Sequence, residues 1–193
     1  MPWKSEGIRA NLRLPMATGT IPARTRPAWY RRLPASLQRV AAESDRVSAL
    51  PLRAGFGLRG MVAELPTVLA AGRSPAVEAA AQRIADGVCR ALDVSGVRVR
   101  VRARRPHNAS GELHGLYVPG APPARPEVTL WMLTAKRGDV VKPRTFLRTL
   151  LHELCHHLDY TWLSLRESLH TQGFYQRESS LLAALEARPV DPI

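Results

Sequence analysis

Apolar residues recur at helical spacing in two long stretches of the chain. The first stretch, residues 74–94, begins with Ser74 and Pro75, which favour the first turn of a helix, and its apolar residues stand at 77, 80, 81, 84, 88, 91 and 92. The second stretch, from about 145 to 160, places four leucines on one face of a helix: Leu147, Leu151, Leu154 and Leu158. A last helix is expected over 175–187, and a short one is possible within 36–53.

Three segments between these helices have the pattern of strands. VRVRVRA (97–103) alternates strictly between apolar and basic residues, which is typical of a half-exposed strand. ELHGLYV (112–118) and PEVTLWMLTA (126–135) are two further strand candidates, separated by the turn-rich PGAPPAR. The order of helix, three strands, helix and helix predicts an α+β domain. We expect a sheet of three or more strands, packed by the helix at 74–94 and by the helix near 150.

The first 59 residues differ from the rest in composition. Prolines are frequent in residues 1–35, and RAGFGLRG (53–60) reads as a loop, so we predict a largely irregular arm over 1–59 and a folded domain over 60–193. Residues 1–60 hold 11 of the 28 basic residues and only 3 of the 16 acidic ones. Such an arm could bind DNA or another polyanion. A coding bias towards arginine, which supplies 25 of the 28 basic residues, would also explain the charge.

Cysteine content and hydropathy bear on the compartment. Cys89 and Cys155 are the two cysteines, and no CxxC pattern is present, so no disulfide framework is expected. The start of the chain lacks a long apolar core, which predicts neither a signal peptide nor a membrane span. A reduced, cytoplasmic setting is the resulting expectation.

The stretch LLHELCHHLDY (150–160) contains the pattern His-Glu-x-x-His. His152 and His156 are four residues apart, so a helix places both imidazoles on one face, away from the leucine stripe. Two neutral imidazoles from successive turns are a common half of a zinc site. Glu153 is turned away from the pair, where it could act as a general base without binding the metal. The pattern predicts a zinc site; the alternative is a surface helix with incidental histidines.

A catalytic zinc usually has a third protein ligand and leaves one position to water. The downstream candidates are His170 and Glu178, followed by Glu167 and Asp159. We favour His170, in which case Glu178 becomes a partner of a metal-binding histidine or of a basic side chain.

The segment HTQGF places Phe174 four residues after His170. Together with HELCH, this arrangement resembles the SprT- and WLM-type zincin metalloproteases, in which HExxH is followed by a third histidine and then by an aromatic residue four positions later. The resemblance runs from the predicted strands to about residue 180. It implies a minimal zincin-like domain with Zn²⁺ held by His152, His156 and His170. In the rival gluzincins a glutamate on the following helix is the third ligand, which would be Glu178.

The function expected from these residues is that of a zinc-dependent metallopeptidase acting on a peptide or protein substrate. The oxyanion needs a donor besides zinc; Tyr175 is the candidate catalytic residue, with Arg177 and Tyr160 as alternatives. The strand EVTLWMLTA (127–135) would pair with an extended substrate. Two other functions remain open: a nucleic-acid-associated protein that acts through its basic arm, and a zinc-binding protein without proteolytic activity.

Several residues near the motif have simpler expected roles. Cys155 is expected to be a small core residue, and His157 a hydrogen-bonded structural histidine. Asp159 either accepts an N–H from a metal-binding histidine or is solvated. His107 and His114 are isolated, so a place on the surface or on a strand face is expected for both.

Overall fold

The computed structural model describes residues 27–53, 55–108, 111–120 and 123–186. These residues form helices and strands in the following order: α1 (Ala28–Arg31), α2 (Ala35–Asp45), α3 (Phe56–Ala63), α4 (Leu65–Ala70), α5 (Ser74–Ala91), β1 (Arg98–Arg104), β2 (His107–Asn108), β3 (Gly111–Glu112), β4 (Gly115–Val118), β5 (Glu127–Leu133), α6 (Pro143–Thr161) and α7 (Gln172–Glu186). The predicted α+β class is confirmed.

A three-stranded mixed sheet lies at the centre, with the strand order β1-β5-β4. β5 pairs with β1 in parallel and with β4 in antiparallel orientation, while β2 and β3 form a separate two-stranded pair. β5 is therefore the middle strand, and both of its edges are occupied. β1 and β4 are the edge strands of the sheet.

Two helices pack on this sheet and enclose the core. α5 contacts β1, and α6 contacts β4 and β5. The leucine stripe predicted for α6 is buried, since Leu147, Leu151, Leu154 and Leu158 are each at most 2% exposed. A fully buried leucine contributes about 1.5–3 kcal/mol to stability. The stripe therefore holds α6 in one rotation about its axis, and the opposite face of the helix is turned towards a cleft.

Strand and helix boundaries differ from the prediction in two places that matter for the site. The segment predicted as one strand over 112–118 is divided, because β3 ends at Glu112 and β4 begins at Gly115. The last helix begins at Gln172 rather than at residue 175. Its first turn therefore follows closely after His170.

The predicted arm needs correction in its described part. Residues 1–26 lie outside the described residues, but residues 27–53 include α1 and α2, and the loop predicted over 53–60 is wrong because α3 begins at Phe56. Pro27 and Pro34 stand at the N-caps of α1 and α2, so these prolines begin helices rather than prevent them. α2 packs on α7. The predicted boundary at residue 59 falls inside α3, which also contacts α7.

Cys89 and Cys155 are both free and buried, which agrees with the absence of a predicted disulfide. Within the described residues, every helix is too short or too polar to cross a bilayer.

Candidate metal centre

The imidazoles of three histidines converge beside α6, on the side of the helix opposite the leucine stripe. The Nε2 atom of His170 lies 3.0 Å from Nε2 of His152 and 3.1 Å from Nε2 of His156. His152 and His156 come from successive turns of α6, and His170 comes from the loop before α7. The three side chains could hold a metal ion, since one ligand atom from each lies within 4.8 Å of the others.

A buried aromatic ring supports the three imidazoles from below. Phe174 in the first turn of α7 is fully buried, and its ring centroid lies 5.0 Å from that of His152, 4.7 Å from that of His156 and 5.1 Å from that of His170. The aromatic residue four positions after the third histidine thus forms the floor of the site. Its packing limits the rotamers that the imidazoles can adopt.

Hydrogen bonds at the far side of two imidazoles determine their tautomers. The Nδ1 atom of His152 lies 2.9 Å from Oε2 of Glu178, and a carboxylate oxygen accepts a hydrogen bond from N–H. The Nδ1 atom of His156 lies 2.7 Å from Oγ of Ser168, whose own proton is donated to Asp159. Both Nδ1 atoms therefore carry the hydrogen, and both Nε2 atoms direct a lone pair towards the common point.

Burial favours the neutral form of His156 and of His170, because it lowers the pKa of both side chains. It lowers the pKa of His156 to about 3, with further lowering by His152 and His170. The pKa of His170 is also lowered, first by burial and then by His152. Metal ions bind neutral imidazole, so the lowered pKa values of these two histidines favour metal binding near neutral pH.

The donor set fits a tetrahedral cation. Zinc–nitrogen bonds of 2.0–2.1 Å at tetrahedral angles require nitrogen atoms about 3.3 Å apart. The separations of 3.0 Å and 3.1 Å from His170 to the two α6 histidines are close to that value. Lone pairs of neighbouring neutral imidazoles repel one another at such distances, and a shared cation removes the repulsion.

The other ligand candidates do not reach the same point. Glu178 is 2% exposed, and its carboxylate lies behind His152, where Nε of Arg148 also donates to it at 2.5 Å. Although burial opposes ionisation, the hydrogen bonds from His152 and Arg148 lower the pKa of Glu178. Asp159 is fully buried and pairs with Arg177 at 2.7 Å, and Glu167 lines a different cavity. The prediction that Glu178 would partner a histidine or a basic residue is confirmed by its contacts.

Glu153 stands beside the histidines in a tight recess. Its side chain belongs to the buried polar groups, at 6% exposure, and lines the same cleft. Burial raises the pKa of Glu153 to about 7, against the lowering effects of His152 and of a hydrogen bond with the backbone amide of Tyr117. A carboxyl group of this pKa can both accept and return a proton near neutral pH.

A single glycine makes the recess possible. A Cβ atom at Gly115 would lie 2.8 Å from Cγ of Glu153 and 2.8 Å from Cγ2 of Thr149, and closer still to Oε1 of Glu153. Sequence reasoning missed this role, although an isolated glycine within a strand pattern indicates close approach of another group. Ser168 was missed as well, and nothing in its local sequence indicates its contact with His156.

The histidines open into a cleft of about 640 Å³, a volume typical of ligand sites. One wall is the segment from Leu113 to Tyr117, which includes edge strand β4. The prediction that strand 127–135 would pair with a substrate is wrong, because β5 is the middle strand and has no free edge. The strand that runs along the cleft with one unpaired edge among the described residues is β4.

The three candidate oxyanion donors lie in different environments. Arg177 is excluded, because it is fully buried and donates to Asp159 and to the carbonyl oxygens of Ser44 and Val47. Tyr175 is 46% exposed, and its ring lies 5.8 Å from that of His170 at the mouth of the cleft. Tyr160 also lines the cleft. Two tyrosine side chains thus line the cleft that contains the three histidines.

The simpler roles predicted around the motif hold in two cases. Cys155 is fully buried in the core, and His157 donates from Nε2 to the carbonyl of Ser95 while Nδ1 accepts from the hydroxyl of Tyr117 at 3.2 Å. Tyr117 also stacks on His156 at 6.3 Å. Exposed His114 lines the cleft, whereas the side chain of His107 lies outside the described atoms.

Comparisons with protein-family models, with curated proteins and with solved structures find no match to this chain.

Proposed function

We propose that the chain is a zinc-dependent metallopeptidase. The observation that carries this proposal is the convergence of three Nε2 atoms, two of them with fixed tautomers, beside a buried carboxylate in an open cleft. Three nitrogen ligands with one position left for water are typical of catalytic zinc. The HExxH pattern and the resemblance to SprT- and WLM-type zincins support the same assignment.

His152, His156 and His170 would hold the zinc ion. When bound, zinc supplies a Lewis acid and lowers the pKa of water. Glu178 and Ser168 keep the first two imidazoles in the tautomer that leaves Nε2 free for binding.

Glu153 would carry the proton during hydrolysis. Its carboxylate accepts a proton from the attacking water and delivers it to the amine of the leaving peptide. The recess below Gly115 and the amide of Tyr117 hold this carboxylate beside the histidines. Tyr175 at the mouth of the cleft is our candidate for hydrogen bonding to the substrate carbonyl oxygen as negative charge develops on it.

The substrate would be an extended segment of polypeptide. An extended chain can add to β4 as a further strand, since this edge borders the cleft. On the opposite edge of the sheet, Gln82 accepts from the amide of Val99 at 2.7 Å, and Glu78 accepts from the amide of Val101 at 2.9 Å. On β4 the amide of Tyr117 bonds with Glu153, so the substrate would pair with other backbone groups of this strand.

Side chains on β4 favour an apolar neighbour. Leu116 is 42% exposed and Val118 is 50% exposed, and both lie on the strand that borders the cleft. An unfolded or extended segment with alternating apolar residues would cover them.

The test combines metal content with cleavage. The full chain is loaded with one equivalent of Zn²⁺ and incubated with a fluorescently labelled unfolded protein. We expect one zinc per chain, cleavage that a chelator abolishes, and a loss of at least about 100-fold for Glu153→Gln with zinc retained. The matched control is Glu167→Gln, an exposed carboxylate that lines another cavity. Absence of zinc from the wild type would refute the metal centre, and cleavage by Glu153→Gln at the wild-type rate would refute the mechanism.

A second candidate function is polyanion binding by the N-terminal region. Exposed arginines on and beside α1 and α2 favour it: Arg31, Arg32, Arg39, Arg46 and Arg53. Salt-sensitive binding of DNA by the full chain would support this function, and its loss on deletion of residues 1–26 would place the contact in those residues. Binding that is equally strong without those residues would move the contact to the described arginines, and no binding at low salt would exclude it.

A further inference from the structure

The C-terminal end of α2 lies directly against the loop that carries His170. Oγ of Ser44 lies 2.9 Å from Oγ1 of Thr171, the residue after His170. Oδ1 of Asp45 accepts a hydrogen bond from the amide of Gly173 at 2.7 Å. Thr171 in turn accepts from the amide of Phe174 at 3.1 Å. The third histidine is thus attached to a helix more than 120 positions earlier in the chain.

The first turn of α7, which follows this loop, lies very close to the backbone of α2. A Cβ atom at Gly173 would lie 2.7 Å from Cα of Asp45 and closer still to the carbonyl oxygen of Ser44. Real Cβ atoms do not approach other carbon atoms so closely without displacement of the backbone. A residue with a side chain at position 173 would push the loop away from α2, and His170 with it.

A second chain of contacts connects the same end of α2 to His156. Nη1 of Arg177 donates to the carbonyl oxygens of Ser44, in the last turn of α2, and of Val47, just after the helix, at 2.6 Å and 2.7 Å. Nη2 of the same guanidinium donates to Asp159 at 2.7 Å. Asp159 accepts from Ser168 at 2.7 Å, and Ser168 accepts from Nδ1 of His156 at 2.7 Å.

Contacts and hydrogen bonds therefore connect two histidines of the candidate metal site, His156 and His170, to the C-terminal end of α2. We propose that the C-terminal end of α2 positions His156 and His170, with Asp159, Ser168 and Asp45 as positioning residues for metal binding. The series of hydrogen bonds from Arg177 through Asp159 and Ser168 to His156 sets the tautomer and the ring orientation of His156. Ser44 and Asp45 hold the loop so that Nε2 of His170 stands 3.1 Å from Nε2 of His156. Helix α2 is thereby part of the metal centre although it supplies no ligand.

The proposal rests on the proposed metal centre but not on peptide cleavage, so its test measures metal affinity. The full chain is titrated with Zn²⁺ against a chromophoric chelator, and the visible spectrum of the Co²⁺-loaded protein reports the ligand geometry. Ser168→Ala removes the acceptor for His156, and Asp45→Ala removes the acceptor for Gly173. We expect Kd for zinc to rise about 10–100-fold in each variant and the Co²⁺ bands to shift.

Matched variants separate positioning from general stability. Ser36→Ala removes a hydroxyl and Glu43→Ala removes a carboxylate at exposed positions on α2, and both should leave Kd unchanged. Ser168→Thr retains a hydroxyl and should recover most of the affinity. The melting temperature of each metal-free variant shows whether the fold is intact. A zinc Kd for Ser168→Ala and Asp45→Ala equal to that of their controls would overturn the proposal, whereas a wild type without zinc would overturn the metal centre as well.

Discussion

Substitution of alanine for Gly115 isolates the placement of Glu153 from the rest of the site. The added Cβ would lie 2.8 Å from Cγ of Glu153 and 2.8 Å from Cγ2 of Thr149. Carbon atoms in contact are normally 3.5–4.0 Å apart, so Glu153 must move by about 1 Å. Gly115 is not in the left-handed region of backbone conformation, so the effect is steric.

Movement of Glu153 by about 1 Å has a large expected effect on cleavage. A displacement of this size costs about 100-fold in rate when it misplaces a reacting group. Zinc binding should remain, because the three atoms nearest to the added Cβ belong to Glu153 and Thr149, and the three histidines come from other elements. The cost of the extra methyl group in a filled site is about 1–3 kcal/mol, partly offset by the lower entropy of the unfolded chain when alanine replaces glycine.

The assay for Gly115→Ala is the rate of cleavage of a labelled unfolded protein at saturating substrate, with zinc content measured on the same sample. Gly60→Ala is the control, because its Cβ would meet nothing within 4 Å. It should leave the rate unchanged and leave stability equal or slightly higher. A rate for Gly115→Ala within twofold of the wild type, with zinc bound, would refute the role given to the recess around Glu153.

Three further predictions follow from burial and charge. Burial raises the pKa of Cys89 to about 11, and Cys155 is fully buried. Neither thiol should react with thiol reagents in the native protein at pH 8, and both should react after addition of urea. Rapid labelling of the native protein would contradict their burial. Arg177→Ala leaves the buried carboxylate of Asp159 without its partner, so urea denaturation should show a loss of about 3–5 kcal/mol, and a loss below 1 kcal/mol would show that the pair is dispensable. Deletion of residues 1–26 should leave the zinc Kd, measured by chelator competition, within twofold of the wild-type value. The reason is that Ser44 and Asp45 of α2 make the hydrogen bonds to Thr171 and Gly173, next to His170. A tenfold change in Kd would show that the deleted residues take part in the site.

The half of the candidate metal site that lies on α6 is readable from the sequence. The positions of His152 and His156, their common face and the opposite leucine stripe all follow from the 3.6-residue period of one helix. The same local logic predicts β1 from its alternation and α5 from its apolar face. Such features depend on neighbours in the chain, which is why they are visible without coordinates.

The strand order shows where local pattern stops being informative. β5 has the apolar sequence of a buried strand, and the sequence alone made it the candidate for pairing with substrate. Its place between β1 and β4 depends on which strands pair across the sheet. The periodicity of one strand does not indicate which strands will lie beside it. β4 is short and begins at a glycine, yet it is the strand beside the histidines.

The sequence by itself determined the α+β class, the paired histidines with their glutamate, and the choice of His170 as the favoured third candidate. Only the tertiary structure decided that Nε2 of His170 meets the other two, that Glu178 and Ser168 fix their tautomers, and that Arg177 is buried. It also decided that the C-terminal end of α2 contacts Thr171, next to His170, and Arg177. These features join residues 12 to 133 positions apart. Contacts at such separations arise from packing of whole elements, which the period of a single element does not encode.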